Sequence, residues 1–304
     1  MQLSLFDDNR PQILLNCVDD CLRQLDFDQA EAVMEQLREE YPAEPALPSL
    51  QLLLDEWRVR LLDPLTDWSD PAHLQQVRAA ALQVSHAALR ETVLTAVCDA
   101  VLALPRSHHL YLPPDFHIGP LLLERKRYNE AADLLQAALA DQVQPSGKLM
   151  TWYANALTIL KQGDQALQWY LAACLLDPDE VPEEPISHRQ FRDLWASWLT
   201  EQDNDDDQAG QPCAAAWLPV WGVLQRLFQL PLPLHLEKIL LGEQPLINAA
   251  HDNSLPLPRR WFFLLLQAEE QRRHRADCSA LRRTMKQLHP SLFQHYMELM
   301  VLGR

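Results

Sequence analysis

The residues that most resemble metal ligands in this chain are His108-His109, with His117 close behind, and the Cys17/Cys21 pair at one-turn helical spacing. Imidazole and thiolate are the usual zinc donors, but a structural zinc site takes four protein ligands and a catalytic one three. Neither set brings the remaining ligands with it, so core or surface roles are expected and no metal. Asp203, Asp205 and Asp207 imitate the start of a calcium loop, yet the turn glycine is Gln208 and the bidentate acid is Ala214. That excludes an EF-hand. The carboxylate pairs Glu39-Glu40 and Glu183-Glu184 fall on a solvated helix end and in a loop. No phosphate-binding P-loop, Gly-x-Gly-x-x-Gly or Gly-x-Ser-x-Gly is present. No catalytic residues and no cofactor are therefore expected, although groups distant in sequence can still converge.

Charge narrows the partners. The formal net charge is −16, which argues against a surface that coats nucleic acid or anionic membrane. The distribution is uneven. From Pro258 to Arg304 the chain carries nine Lys/Arg against four acids, leaving that stretch at +5 and the rest at −21. Arg272, Arg273, Arg275, Arg282 and Arg283 form a basic surface candidate, either a polar contact surface or the solvated faces of two helices. Nucleic acid is not expected to be the main partner.

The elements that would position these residues are helices. Gly is only 7 and Pro 22 of 304 residues, and the apolar stretches are rich in Leu and Ala. Leu, Ala, Gln, Glu and Arg favour helix, and proline then marks helix starts and ends. Leu14, Cys17, Val18, Cys21 and Leu22 recur at the three- and four-residue spacing of an amphipathic helix. LPSLQLLLDEWRVRLL, PAHLQQVRAAALQVS and HAALRETVLTAVCDAVLAL read as three more, with Asp70-Pro71 as a start signal. Residues 105–114 read as a loop, 187–202 as a helix, and the remainder after 213 as about six helices. The six cysteines are scattered without a short-spaced framework, as in a reducing cytoplasm. The first residues lack a basic n-region and a long apolar stretch, so no signal peptide is expected.

Two segments follow one template. RKRYNEAADLLQAAL (125–139) and KQGDQALQWYLAACLLDP (161–178) place small residues seven apart, Ala131/Ala138 and Ala166/Ala173, so that a neighbouring helix can approach closely. A third copy at 11–42 puts Phe27, Ala30, Leu37 and Pro42 in the same relative places. These hairpins resemble tetratricopeptide repeats, units of about 34 residues. Trp152, Ala156, Gly163, Ala166, Tyr170, Ala173 and Pro178 carry the resemblance in one copy, and Ile118, Gly119, Tyr128, Ala131, Leu135 and Ala138 in another. The turn at Gly163-Asp164 reads two residues short, and Val143 stands where a closing proline would be.

The resemblance implies an all-α, right-handed stack of antiparallel helix pairs with a less regular C-terminal helical part. It implies a non-enzymatic scaffold or adaptor whose first helices line a groove for a partner protein or peptide. The groove candidates are Leu15, Asp19, Arg23, Phe116, Leu123, Tyr153, Leu157 and Lys161, each with burial against the next helix as the alternative. The expected organisation is an N-terminal arm (1–10), a repeat region (11–202), an acidic loop (203–212) and a C-terminal helical region (213–304).

One short motif points further. Gln2, Leu3, Ser4, Leu5 and Phe6 look like the pentapeptide by which many bacterial replication and repair proteins dock on the DNA polymerase sliding clamp. Leu5 and Phe6 would enter an apolar pocket, with Gln2 hydrogen-bonding at its edge. The alternative is that Leu3, Leu5 and Phe6 pack on the first hairpin as an arm. A clamp-tethered DNA replication or repair accessory factor is therefore the second functional reading.

Overall fold

Capping residues set the helix starts. Asp26 accepts from the Gln29 N–H at 3.0 Å and Asp70 from the Ala72 N–H at 3.0 Å, each satisfying a donor that the helix itself leaves free. The structure, a computed structural model, describes residues 9–62, 67–141, 146–183, 185–202, 213–242 and 245–302. Among these the chain is all-α apart from one short ribbon. In order come α1 (Arg10–Arg23), α2 (Phe27–Glu40), α3 (Leu47–Leu62), α4 (Pro71–Leu82), α5 (Ala87–Ala103) and α6 (Ile118–Glu124). Then follow α7 (Tyr128–Ala140), α8 (Gly147–Ile159), α9 (Gly163–Leu176), α10 (Arg189–Gln202) and α11 (Ala214–Leu224). The last five are α12 (Leu234–Leu241), α13 (Leu246–His251), α14 (Leu257–Arg273), α15 (Ser279–Leu288) and α16 (Pro290–Leu302). The expected loop at 105–114 instead holds a 3₁₀ turn, Ser107–His109, and strand β1 (Tyr111–Leu112), which pairs antiparallel with β2 (Phe116–His117).

The chain divides into two units, Met1–Lys126 and Arg127–Arg304. The division falls between α6 and α7, inside the copy read from Ile118 to Ala138. Residues 203–212, expected to form the acidic loop, lie outside the described residues, as does Val143.

In the first unit α1 packs on α2 and on α5, α2 on α3, and α4 on α5. Val18 and Leu22 of α1, Met34 and Leu37 of α2, and Val93 and Val97 of α5 are fully buried. Removing side chains of this size from water stabilises by about 1.5–3 kcal/mol each.

In the second unit α8 packs on α7 and α9, and α11 on α9, α10, α14 and α16. Every residue of α11 from Ala215 to Leu224 is buried. A helix apolar on all sides has no solvent face and sits in the middle of its neighbours. Gly222 permits this. A Cβ there would lie 2.3 Å from the Phe228 ring and 3.2 Å from Leu194. A second tie is polar: the Asn155 side chain accepts from the Tyr170 O–H at 2.5 Å and the Ser187 N–H at 2.7 Å, and donates to the Pro185 carbonyl at 2.8 Å. Tyr170 also stacks on Phe191 of α10, ring centroids 4.5 Å apart.

The helix ends share one closure. At Leu25 the Asp26 N–H reaches back to the Cys21 carbonyl at 3.0 Å; at Lys161 the Gln162 N–H reaches the Leu157 carbonyl at 2.8 Å. The same six-to-one bond follows Arg226 (Leu227 to Gly222, 2.8 Å) and Arg275 (Ala276 to Gln271, 2.9 Å). All four residues have positive φ, as does Lys126, so each end is a left-handed closure built without glycine. Leu25, Lys126 and Lys161 each stand five residues before the small residue of the template, Ala30, Ala131 and Ala166. The turn at Gly163 is therefore not short. Gly163 occupies the place of Phe27 and Tyr128, and the His188 ring lies 3.4 Å from where its Cβ would be.

Candidate functional site

Of the residues singled out for chemistry, His117 and Glu40 are held by hydrogen bonds and Cys21 is half-buried. His117 is buried at the start of α6, where its Nδ1 accepts from the Gly119 N–H at 3.0 Å and its Nε2 lies 3.0 Å from the His108 carbonyl. The second bond requires the proton on Nε2, so the ring is neutral. Burial pushes its pKa down to about 4. Cys21 is half-buried, and its thiol is raised by that burial and then by Asp26, the opposite of what a nucleophile needs. Glu40 accepts from Arg10 and Gln36, and the Arg10 hydrogen bond holds its carboxyl down to about 2. It has no proton to share with Glu39 at neutral pH. Glu184, Asp203, Asp205, Asp207 and Gln208 lie outside the described residues, as do Gln2, Leu3, Leu5 and Phe6.

Of the groove candidates, Phe116, Tyr153 and Leu157 are buried, Leu15, Asp19 and Leu123 are half-buried, and Arg23 and Lys161 are exposed. Arg23 alone among them lines an open trough of about 630 Å³ in the first unit. Its floor is one face of α5, made by Ala87, Ala88, Thr92, Thr95 and Ala96, with Glu91 and Asp99 at its edges. Spacings of one, three and four residues keep these side chains on a single stripe along the helix. The threonine hydroxyls are turned back on the helix: Thr92 donates to the Ala88 carbonyl at 3.0 Å and Thr95 to the Glu91 carbonyl at 2.8 Å. The face thus presents small, largely apolar groups, with charge only at the margin. The margin itself is fixed. Glu91 pairs with Arg125 at 2.5 Å, Arg23 with Asp20 at 2.6 Å, and Asp19 meets His86, at the head of α5, at 2.9 Å. The α5 residues of the trough were not singled out from the sequence, because alanines and threonines at helical spacing read equally as helix-packing positions.

In the second unit, three of the five basic candidates come together. Arg272, Arg275 and Arg282 line a cleft of about 1090 Å³ with Arg226, Glu269 and the apolar side chains of Met297, Leu299, Met300 and Val301. Arg273 and Arg283 are exposed and do not line it. Glu269 is buried, takes Arg272 on one carboxylate oxygen (2.8 Å from Nη2, 3.1 Å from Nε) and accepts the Tyr296 O–H on the other at 2.9 Å. Burial, and then the Glu269 charge, raise the Tyr296 phenol, which stays protonated as a donor. Glu269 and Arg226 were not legible as site residues, since α14, α15, α16 and the end of α11 meet only in three dimensions.

No family model, no curated protein and no solved structure matches this chain.

Proposed function

We propose that this chain is a non-enzymatic protein-interaction scaffold whose first unit receives a helical segment of a partner on the α5 face. The observation that carries this is the trough floor of exposed and half-exposed small residues, Ala87, Ala88, Thr92, Thr95 and Ala96, on an otherwise core-forming helix. Small side chains let two backbones approach closely, and a partner helix would lay its own apolar stripe there, with polar residues facing Arg23, Glu91 and Asp99 at the rim. The hairpins α1–α2 and α8–α9, with their common closure and template spacing, support the tetratricopeptide-like reading of the scaffold. A photo-crosslinking residue at Ala87 recovers the partner. Purified partner binding to wild type and to Thr95→Trp then tests the site, because Thr95 is exposed and the indole fills the trough without entering the core.

Gln2–Phe6 support a second reading, in which the scaffold is tethered to the bacterial sliding clamp as a replication or repair accessory factor. Micromolar binding to purified clamp that disappears in Leu5→Ala/Phe6→Ala is the expected result. Equal binding by both forms, or none by either, removes the tether.

A further inference from the structure

Four guanidinium groups converge on the second unit's cleft, and a single buried acid answers them, leaving its lining at +3 in a chain of net −16. Glu269 has both oxygens engaged, one by Arg272 and one by Tyr296. The side chains of Arg226 and Arg275 have no ion pair or hydrogen bond among the described residues. Arg282 lies against the Tyr296 ring at 5.9 Å, and its Nε is buried without a hydrogen-bond partner. Like charges gathered in one concavity repel, and a guanidinium fork is matched by a carboxylate or another planar oxyanion. Both free arginines sit at left-handed helix ends closed by backbone hydrogen bonds, Arg226 after α11 and Arg275 after α14.

The rest of the wall is apolar. Met297, Leu299 and Met300 of α16 border the arginines, and a smaller adjoining recess of about 320 Å³ shares Arg226, Glu269 and Leu299 and adds Phe228 and Leu265. Unbranched methionines adapt to varied apolar shapes. A nucleic acid strand would ask instead for exposed aromatic rings and an open basic stripe. Here Phe228 and Tyr296 are buried, and Arg273 and Arg283 stand outside the cleft. We infer that this cleft is a docking site for an acidic peptide segment of a partner protein, its carboxylates on Arg226, Arg275 and Arg282 and an apolar side chain against Leu299 and Met300. The inference is independent of the α5 trough, which lies in the other unit.

The test is fluorescence anisotropy with a labelled peptide of alternating Glu and Leu, in low salt, against the full-length chain. Binding is expected to weaken as salt is raised and to fall about tenfold or more in Arg226→Ala/Arg275→Ala, which removes two charge-assisted contacts from exposed positions. Arg273→Ala/Arg283→Ala, the same loss of charge outside the cleft, is expected to bind within about twofold of wild type. Equal weakening by both double variants overturns the proposal, since it would report net charge alone. So does the absence of binding at millimolar peptide. Tighter binding of single-stranded DNA than of the peptide, lost in Arg226→Ala/Arg275→Ala, overturns it in favour of a nucleic-acid site. Far-ultraviolet circular dichroism confirms that both double variants keep the wild-type helix content.

Discussion

With Nδ1 capping α6 and Nε2–H on the His108 carbonyl, the buried His117 ring must be neutral for both bonds to stand. Its pKa is about 4 in the folded chain, against about 6.5 for an unfolded histidine. Between those values the unfolded state holds more protons, so stability rises with pH. The contribution is complete above about pH 6.5 and is lost as pH falls toward 4, up to about 3 kcal/mol in all. The first unit's urea midpoint is therefore expected to fall between neutral pH and about pH 5, with a shallower fall in His117→Gln. An equal slope in both would place the pH sensitivity elsewhere. The sequence showed a histidine beside a loop. It could not show the second bond, because the His108 carbonyl meets Nε2 only where the β1–β2 ribbon brings the two together. Glu269 and Arg226 escaped notice for the same reason. The pairing of Glu269 with Arg272 is a local one, three residues apart, but the burial of Glu269 and its second partner, Tyr296 of α16, come from packing that the spacing does not show.

Most helices were legible as elements. LPSLQLLLDEWRVRLL is α3 to the residue, and the stretch after 213, read as about six helices, holds α11 to α16. Periodicity and capping are local properties that sequence displays directly. The closures were less visible, because Leu25, Lys126, Lys161, Arg226 and Arg275 occupy a conformation usually given to glycine, and none has the residue type that signals it. The two small residues Gly163 and Gly222 separate what is required from what is tolerated. Gly222→Ala drives a methyl into the Phe228 ring at 2.3 Å and is expected to cost about 2 kcal/mol or more, read as a lowered Tm of the second unit. Gly163→Ala meets His188 at 3.4 Å, and alanine favours helix, so a change within about 1 kcal/mol is expected. A Gly222→Ala protein as stable as wild type would mean that α11 and Phe228 are not packed as described.

At the scale of the whole chain, two units carry two differently made surfaces: a shallow trough of small groups in the first and a cationic cleft in the second. No helix among the described residues is long and apolar enough to cross a membrane. The concentration of arginine near the C-terminus was plain in the sequence, but which arginines act together was not. Arg272 and Arg273 are neighbours in sequence, yet only Arg272 enters the cleft. The N-terminal pentapeptide is a reading of residue types alone and waits on its own binding experiment. The scaffold claim rests on the α5 trough, and its most direct test is the affinity of the partner crosslinked at Ala87 for three proteins: wild type, Thr95→Trp, and Asp55→Trp, which adds the same indole at an exposed position on α3. The account predicts that Thr95→Trp weakens binding about tenfold or more while Asp55→Trp leaves it unchanged. Full affinity in Thr95→Trp would contradict it.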